Sequence, residues 1–162
     1  RSTAASSIYR ISKSVHQTIT KTAGAFNTAE RFPENSEDEV YYACKSGILY
    51  GEKYNGEANL RLDDIATRAE FFCMLDRAIG LKDSGMAAED LSEMPDFAAG
   101  SAKRLLAAGI INDKDISLKP DEPITKQEMA ELLYKYMCYE KNKPKKSINR
   151  QISEKLYPEI CI

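Results

Sequence analysis

The chain has 162 residues, 43% hydrophobic and 30% charged, and its net charge at neutral pH is −2. This length is enough for one domain or a short array with a buried core. The slightly acidic charge gives no support to a nucleic-acid-binding surface. The sequence has neither an apolar run of about 18 residues nor a signal peptide, so membrane insertion is not expected, and any export signal would lie outside it.

A two-part pattern occurs twice in the chain. In the first copy Gly-Ile-Leu-Tyr-Gly at 47–51 precedes Thr67, and in the second copy Gly-Ile-Ile at 109–111 precedes Thr125. The first glycines lie 62 positions apart and the threonines 58, so the copies differ by four loop residues. Two copies of one unit predict a repeat architecture.

Local signals predict the secondary structure of each copy. Each threonine opens a Thr-x-x-Glu capping box, with Glu70 and Glu128 as the acidic partners, and apolar residues follow at helical spacing. Apolar residues before each glycine predict an earlier helix, which the glycine ends in a left-handed conformation. The predicted unit is a helix, a glycine stop, an extended loop and a capped helix.

These linked motifs resemble the S-layer homology repeat, which has an aromatic-Pro-Asp entry, a G-I-I-x-G helix end and an I-T-R-A-E helix start. The first copy carries Phe-Pro-Glu at 32–34 and Ala-Thr-Arg-Ala-Glu at 66–70. The second carries Met-Pro-Asp at 94–96 and Ile-Thr-Lys-Gln-Glu at 124–128. The resemblance implies an all-α fold, in which helical repeats pack around a pseudo-threefold central bundle and are joined by short extended loops.

The same comparison divides the chain into four parts. Residues 1–30 form a helix that is either the second half of a preceding repeat or unrelated to the repeat, and 31–86 and 87–142 are two repeats. Residues 143–162 form a basic linker and the start of a further repeat, which Tyr-Pro-Glu at 157–159 indicates. Such pieces bury their apolar faces against each other, so they either close nearly into a ring or complete one another as a homo-oligomer.

Two cations occupy positions that helix electrostatics disfavours. Arg68 and Lys126 directly follow the capping threonines, in the first helical turn, where the helix dipole opposes positive charge. A helix N-terminus together with a cation can bind a carboxylate or a phosphate. Alternatively, each cation pairs with a nearby acid: Asp63 or Asp64 for Arg68, and Asp121 or Glu122 for Lys126.

The resemblance supplies a ligand of this kind, a secondary cell wall polysaccharide whose pyruvate ketal carries a carboxylate. It implies an extracellular, cell wall or S-layer associated module that anchors its parent protein without catalysis. The alternative is a degenerate repeat module that serves protein-protein or self-assembly contacts. Phe97 is the nearest stand-in for a tryptophan that the family often has. The implied ligand-binding residues are Arg68, Lys126, Thr67, Thr125, Gly47, Gly109 and Phe97.

No catalytic site, cofactor or metal site is predicted. The chain has one histidine and no Cys-x-x-Cys spacing, which argues against zinc patterns. Its four cysteines are expected to be free thiols that fill space, although an exported chain could instead form disulfides. Acidic residues that could pair for glycoside hydrolysis, Asp76 among them, are expected to lie on the solvated surface.

Overall fold

The computed structural model describes residues 1–15, 39–54, 57–83, 91–112 and 119–143, with the backbone alone at 52–54 and 57–59. The predictions made for the Phe-Pro-Glu and Tyr-Pro-Glu triplets, for the single histidine and for Cys161 lie outside these residues. In chain order the elements are α1 (Ser2–Val15), α2 (Glu39–Lys45), β1 (Glu52–Tyr54), β2 (Glu57–Asn59), α3 (Arg68–Ile79), α4 (Asp96–Ala107) and α5 (Lys126–Asn142).

The predicted all-α class is confirmed. The extended part of the described chain is a small antiparallel hairpin, in which β1 pairs with β2 in the loop between α2 and α3. The pseudo-threefold arrangement of the repeats and the four domain boundaries stay predictions.

Both predicted capping boxes form. The hydroxyl of Thr67 accepts a hydrogen bond from the backbone N–H of Glu70 at 3.2 Å, and the Glu70 carboxylate accepts from the Thr67 N–H at 3.1 Å. Thr125 and Glu128 make the same two bonds at 3.2 and 2.7 Å. These bonds satisfy N–H groups that a helix start leaves without partners, which fixes where α3 and α5 begin.

The two predicted glycine stops are also confirmed. Gly47 follows α2 with φ 79°, and Gly109 follows α4 with φ 69°. In both cases the next residue, Ile48 or Ile110, donates its N–H back to the preceding helix at 2.9 Å. This left-handed turn favours glycine because a side chain would clash with the backbone.

The helices pack as two neighbouring pairs, α1 with α2 and α3 with α4, and α1 also contacts α3 and α5. The core between them contains fully buried Ile8, Phe71, Leu75 and Leu105. Tyr136 brings α5 into this core, and its hydroxyl lies 3.3 Å from the Ser12 hydroxyl of α1. Burial raises the pKa of Tyr136 to about 12, so the phenol stays neutral.

A buried ion pair joins α3 to α4 and corrects one prediction. Asp76 was expected on the solvated surface but is only 5% exposed. Arg104 donates from Nη2 at 2.6 Å and from Nε at 3.1 Å to its carboxylate, and Ser101 Oγ donates at 2.9 Å. Sequence pattern missed this site because a carboxylate can be buried when a bidentate arginine from another helix satisfies it.

The expectation of free thiols is confirmed for the three cysteines that the structure describes. Cys44 and Cys73 are buried, Cys138 is partly buried, and none of them forms a disulfide. Buried thiols of this kind behave as small apolar side chains.

Candidate functional site

The start of α1 contacts the loop before α3, and this contact is called the first junction. The backbone nitrogen of Arg1 donates to the carbonyl of Asp64, and that of Ser2 donates to the carbonyl of Leu62 at 3.2 Å. The guanidinium of Arg1 lies 3.6 Å from the capping carboxylate of Glu70. The N-terminal turn of α1 is therefore satisfied by the loop and helix of the first repeat.

The start of α3 makes matching contacts with the loop before α5, at the second junction. The N–H of Arg68 donates to the carbonyl of Glu122 at 3.1 Å, and that of Ala69 donates to Pro120 at 2.9 Å. Nε and Nη2 of Arg68 both lie 2.9 Å from Oε1 of the capping residue Glu128. The second junction thus repeats the first junction's pattern, with a closer ion pair.

An unusual backbone conformation shapes the loop at each junction. Arg61 and Lys119 have positive φ angles of 49° and 21°, and their carbonyls accept from the N–H groups of Asp64 and Glu122 at 3.2 and 3.0 Å. These turns present the loop carbonyls to the neighbouring helix start. The sequence did not reveal them, because arginine and lysine rarely adopt positive φ.

Arg68, the main predicted ligand contact, is engaged by the protein itself. Its side chain is 12% exposed and pairs with Glu128, with Glu122 at 3.6 Å and with the Lys119 carbonyl at 3.3 Å. The alternative pairing with Asp63 or Asp64 is wrong, because the partners come from the second repeat. The predicted ligand role of Arg68 would require a ligand to share or replace these contacts.

Lys126 lies apart from Arg68. It lines a separate cavity of about 420 Å³ between the first turns of α1 and α5, which is called the third cavity to distinguish it from the clefts at the two junctions. Its side chain is exposed, and no described carboxylate lies within ion-pairing distance of it. The alternative pairing with Asp121 or Glu122 is therefore wrong, since Glu122 pairs with Lys119 at 2.9 Å instead.

A cavity of about 320 Å³ at the first junction, called the first cleft, is lined by two cationic side chains and one described acid. The Arg1 side chain is 7% exposed, and its Nη2 donates to the Tyr50 carbonyl at 3.3 Å. The Arg77 guanidinium lies 4.5 Å above the Tyr50 ring, and its Nη1 donates to the Ile48 carbonyl at 3.4 Å. The first cleft is lined by Arg1, Leu49, Tyr50, Gly51, Glu70, Cys73, Met74, Arg77 and Phe97.

Phe97 is the predicted ligand residue that the first cleft contains. Its side chain is 63% exposed, and its carbonyl lies 3.6 Å from the thiol of Cys73. Burial raises the pKa of Cys73, which keeps the thiol protonated and makes it a poor nucleophile. Gly47 and Gly109 end helices and are not among the lining residues, whereas Gly51 is.

A smaller cavity of about 60 Å³ lies at the second junction and is called the second cleft. Its described lining comprises Arg68, Phe72, Ile124, Glu128, Glu131, Leu132 and Lys135. Four of these residues, from Glu128 to Lys135 on α5, stand 58 positions after first-cleft residues on α3. The two clefts are therefore equivalent surfaces of the two capped helices.

Sequence reasoning missed Arg1 and Arg77 as site residues. The signal for Arg77 was available, because Glu70, Met74 and Arg77 follow the i, i+4, i+7 spacing of one helix face. The signal for Arg1 was its alignment with Arg68 at an offset of 67 positions. Neither signal could show that these two cations line the same cavity, because they belong to different helices.

Among the residues that the structure describes, no group of three or more His, Cys, Asp or Glu side chains could hold a metal ion. None of the described helices combines the length and apolar character needed to cross a bilayer.

The family of the second repeat follows from its sequence. Residues 89–130, which contain α4 and the first turn of α5, match the model of the S-layer homology domain. No curated protein and no solved structure matches the chain. S-layer homology domains are non-catalytic and anchor proteins to the cell wall. The resemblance seen in the motifs is thus confirmed for residues 89–130, which match the S-layer homology domain.

Proposed function

We propose that this protein is an extracellular anchoring module that binds an anionic secondary cell wall polysaccharide, with a pyruvate ketal carboxylate of the polymer in the first cleft. The observation that carries the proposal is the arrangement of Arg1 and Arg77 around one cavity, whose described lining contains a single carboxylate, that of Glu70. A carboxylate ligand can accept hydrogen bonds from both guanidinium groups.

Both cations are held in place before a ligand arrives. Arg1 is fixed by the Tyr50 carbonyl, and Arg77 is fixed by the Tyr50 ring and the Ile48 carbonyl. Because little side-chain freedom remains to be lost, more of the interaction energy contributes to affinity. Arg1 is buried, so its charge lies in surroundings of low dielectric constant. The attraction between Arg1 and an anion is therefore stronger there than in water.

Phe97 supplies the apolar part of the site. An exposed phenylalanine in a cavity that also contains two guanidinium groups is a candidate surface against which a sugar ring can pack. The Gly51 backbone forms another part of the wall, and it has no side chain to exclude the ligand. Together these features favour a charged sugar over a simple inorganic anion.

The other contacts implied by the sequence remain part of the proposal in a secondary role. Arg68, with Thr67, would contact uncharged sugars of the polymer at the second cleft, and Lys126, with Thr125, would do so at the third cavity. Gly47 and Gly109 would act by shaping the loops that lead to each cleft.

We also propose that α1 is the capped helix of a preceding repeat. At the first junction the backbone donors are Arg1 and Ser2, and the acceptors are carbonyls of the loop before α3. These donors and acceptors occupy the same relative positions as those of the second junction. This match supports the assignment over that of an unrelated helix.

The proposal is tested by an Arg77→Ala substitution in the full chain. Loss of one charged contact is expected to weaken binding to a pyruvylated aminosugar methyl glycoside about tenfold to a hundredfold. Binding is measured by isothermal titration calorimetry, and helix content by circular dichroism. Arg10→Ala is the matched control, because Arg10 is an exposed α1 arginine that pairs with Glu39, outside the first cleft. Unchanged affinity in Arg77→Ala would exclude the first cleft.

The alternative, a self-assembly module, is favoured by one observation. Ile65 is 71% exposed and lies beside Lys126 on the third cavity, which suits contact with another protein surface. Size-exclusion chromatography with light scattering, together with retention on purified cell walls before and after removal of the polysaccharide, separates the two functions. Assembly without polysaccharide-dependent retention would favour the alternative.

A further inference from the structure

The two clefts share their charged groups at all but one of the equivalent positions. Arg1 and Arg68 occupy the same place at the two junctions, as do the capping carboxylates Glu70 and Glu128. On the next two turns of the helix, Arg77 in the first cleft is matched by Lys135 in the second.

The exception is the position three residues after the capping glutamate. It is Cys73 in the first cleft, where the side chain is buried and neutral. It is Glu131 in the second cleft, where the side chain is exposed and accepts a hydrogen bond from Gln127 Nε2 at 3.0 Å. Among the described lining residues, two cations thus face one carboxylate in the first cleft and two carboxylates in the second.

This difference decides how each cleft receives an anion. In the described lining of the first cleft the cationic side chains exceed the acidic ones, so a ligand carboxylate balances these charges. In the second cleft the charges of the described lining already balance, and a ligand carboxylate would be repelled by Glu131 at close range. Repulsion at a few ångströms near a protein surface weakens binding by about tenfold or more.

We propose that Glu131 determines which cleft binds the polymer, because its negative charge prevents the second cleft from binding an anion that the first cleft binds. This inference rests on the proposed function, because it concerns the same acidic ligand. It makes the chain monovalent for the charged sugar, although it contains two equivalent clefts. A neutral residue at position 131 is sufficient to restore the second site.

The test is the Glu131→Gln variant of the full chain, titrated with a pyruvylated aminosugar methyl glycoside. Glutamine keeps the size and the hydrogen-bonding capacity of the side chain and removes only the charge. Glu93→Gln is the matched control, since Glu93 is exposed and absent from the lining of both clefts. The methyl ester of the glycoside, which lacks the charge, measures binding that does not depend on the carboxylate.

The expected result is one bound ligand for the wild-type chain and for Glu93→Gln, and two for Glu131→Gln. Adding Lys135→Ala to Glu131→Gln should remove the second ligand again, which locates it in the second cleft. Wild-type binding of one ligand with no gain in Glu131→Gln would overturn the inference and leave the proposed function intact. Two ligands on the wild-type chain would also overturn it. Absence of binding to the wild-type chain would instead overturn the proposed function, and the inference with it.

Discussion

The first and second junctions are built from the same backbone contacts, yet they use their arginines differently. At the first junction Arg1 stays 3.6 Å from Glu70 and lines a cleft of about 320 Å³. At the second, Arg68 makes two contacts of 2.9 Å with Glu128 and lines a cleft of about 60 Å³. An equivalent position therefore does not fix the contacts of a residue, because the arginine binds the capping carboxylate closely at one junction and lines a larger cavity at the other.

The helix pairs behind the junctions differ in a related way. Where α1 meets α2, Tyr9 stacks on Tyr42 with ring centres 5.7 Å apart. Where α3 meets α4, the corresponding places hold the buried pair of Asp76 and Arg104. On α5 the residue 58 positions after Asp76 is Tyr134, which is 68% exposed. The same helical position thus holds a stacked tyrosine in α1, a buried aspartate in α3 and an exposed tyrosine in α5, depending on the neighbouring helix.

The largest expected effect comes from breaking the ionic version of this contact. Asp76→Ala would leave Arg104 without its main partner in a partly buried place, and it should lower the free energy of unfolding by about 3 kcal/mol. Urea denaturation followed by circular dichroism measures the change. Tyr134→Ala at the corresponding exposed position should change stability by no more than about 0.5 kcal/mol. Equal losses in both variants would contradict the comparison.

A smaller effect is expected from Arg68→Ala. This substitution tests whether Arg68 stabilises the fold or binds the ligand. Loss of its bonds to Glu128 should lower the free energy of unfolding by about 1 to 2 kcal/mol. Binding of the pyruvylated glycoside to the first cleft should be retained under conditions where the variant is folded. A loss of affinity as large as that of Arg77→Ala would show that Arg68 contacts the ligand, as the sequence pattern predicts.

The smallest expected effect is a pH dependence specific to the second junction. Burial raises the pKa of Glu128, but hydrogen bonds from Thr125 and Arg68 outweigh it, so the pKa lies below its usual value of 4.5. A lowered pKa means that the stabilisation is complete above that usual value and is lost as the pH falls through the folded-state pKa. The Glu128→Gln variant should therefore lose less stability than the wild-type chain between pH 7 and the acid range. Parallel urea midpoints across that range would contradict this assignment.

Much of the fold could be read from local sequence signals. The capping boxes at Thr67 and Thr125 and the glycine stops at Gly47 and Gly109 form as predicted, because each depends only on residues within a few positions along the chain. The free thiols followed from the same kind of reasoning. Asp76 was misjudged, since its partner Arg104 lies on another helix and no local pattern reveals it.

The candidate site was less accessible to such reasoning. The sequence predicted a class of residue, the cation at a helix start, and it also predicted Phe97 as a ligand contact. The cavity that each cation lines depends on the loop that packs against the helix start. It also depends on carboxylates that lie later in the chain. The partners are far apart in the sequence: 51 positions separate Arg68 from Lys119, and 69 positions separate Arg1 from Glu70.

The sequence by itself determined where α3 and α5 begin and where glycines follow α2 and α4, because capping and left-handed glycines are short-range properties of the chain. It also indicated the family that residues 89–130 match. Only the tertiary structure decided that Arg68 is engaged by Glu128 while Arg1 and Arg77 face a common cleft. Electrostatic roles depend on distance in space, and packing sets those distances between residues that are far apart in the sequence.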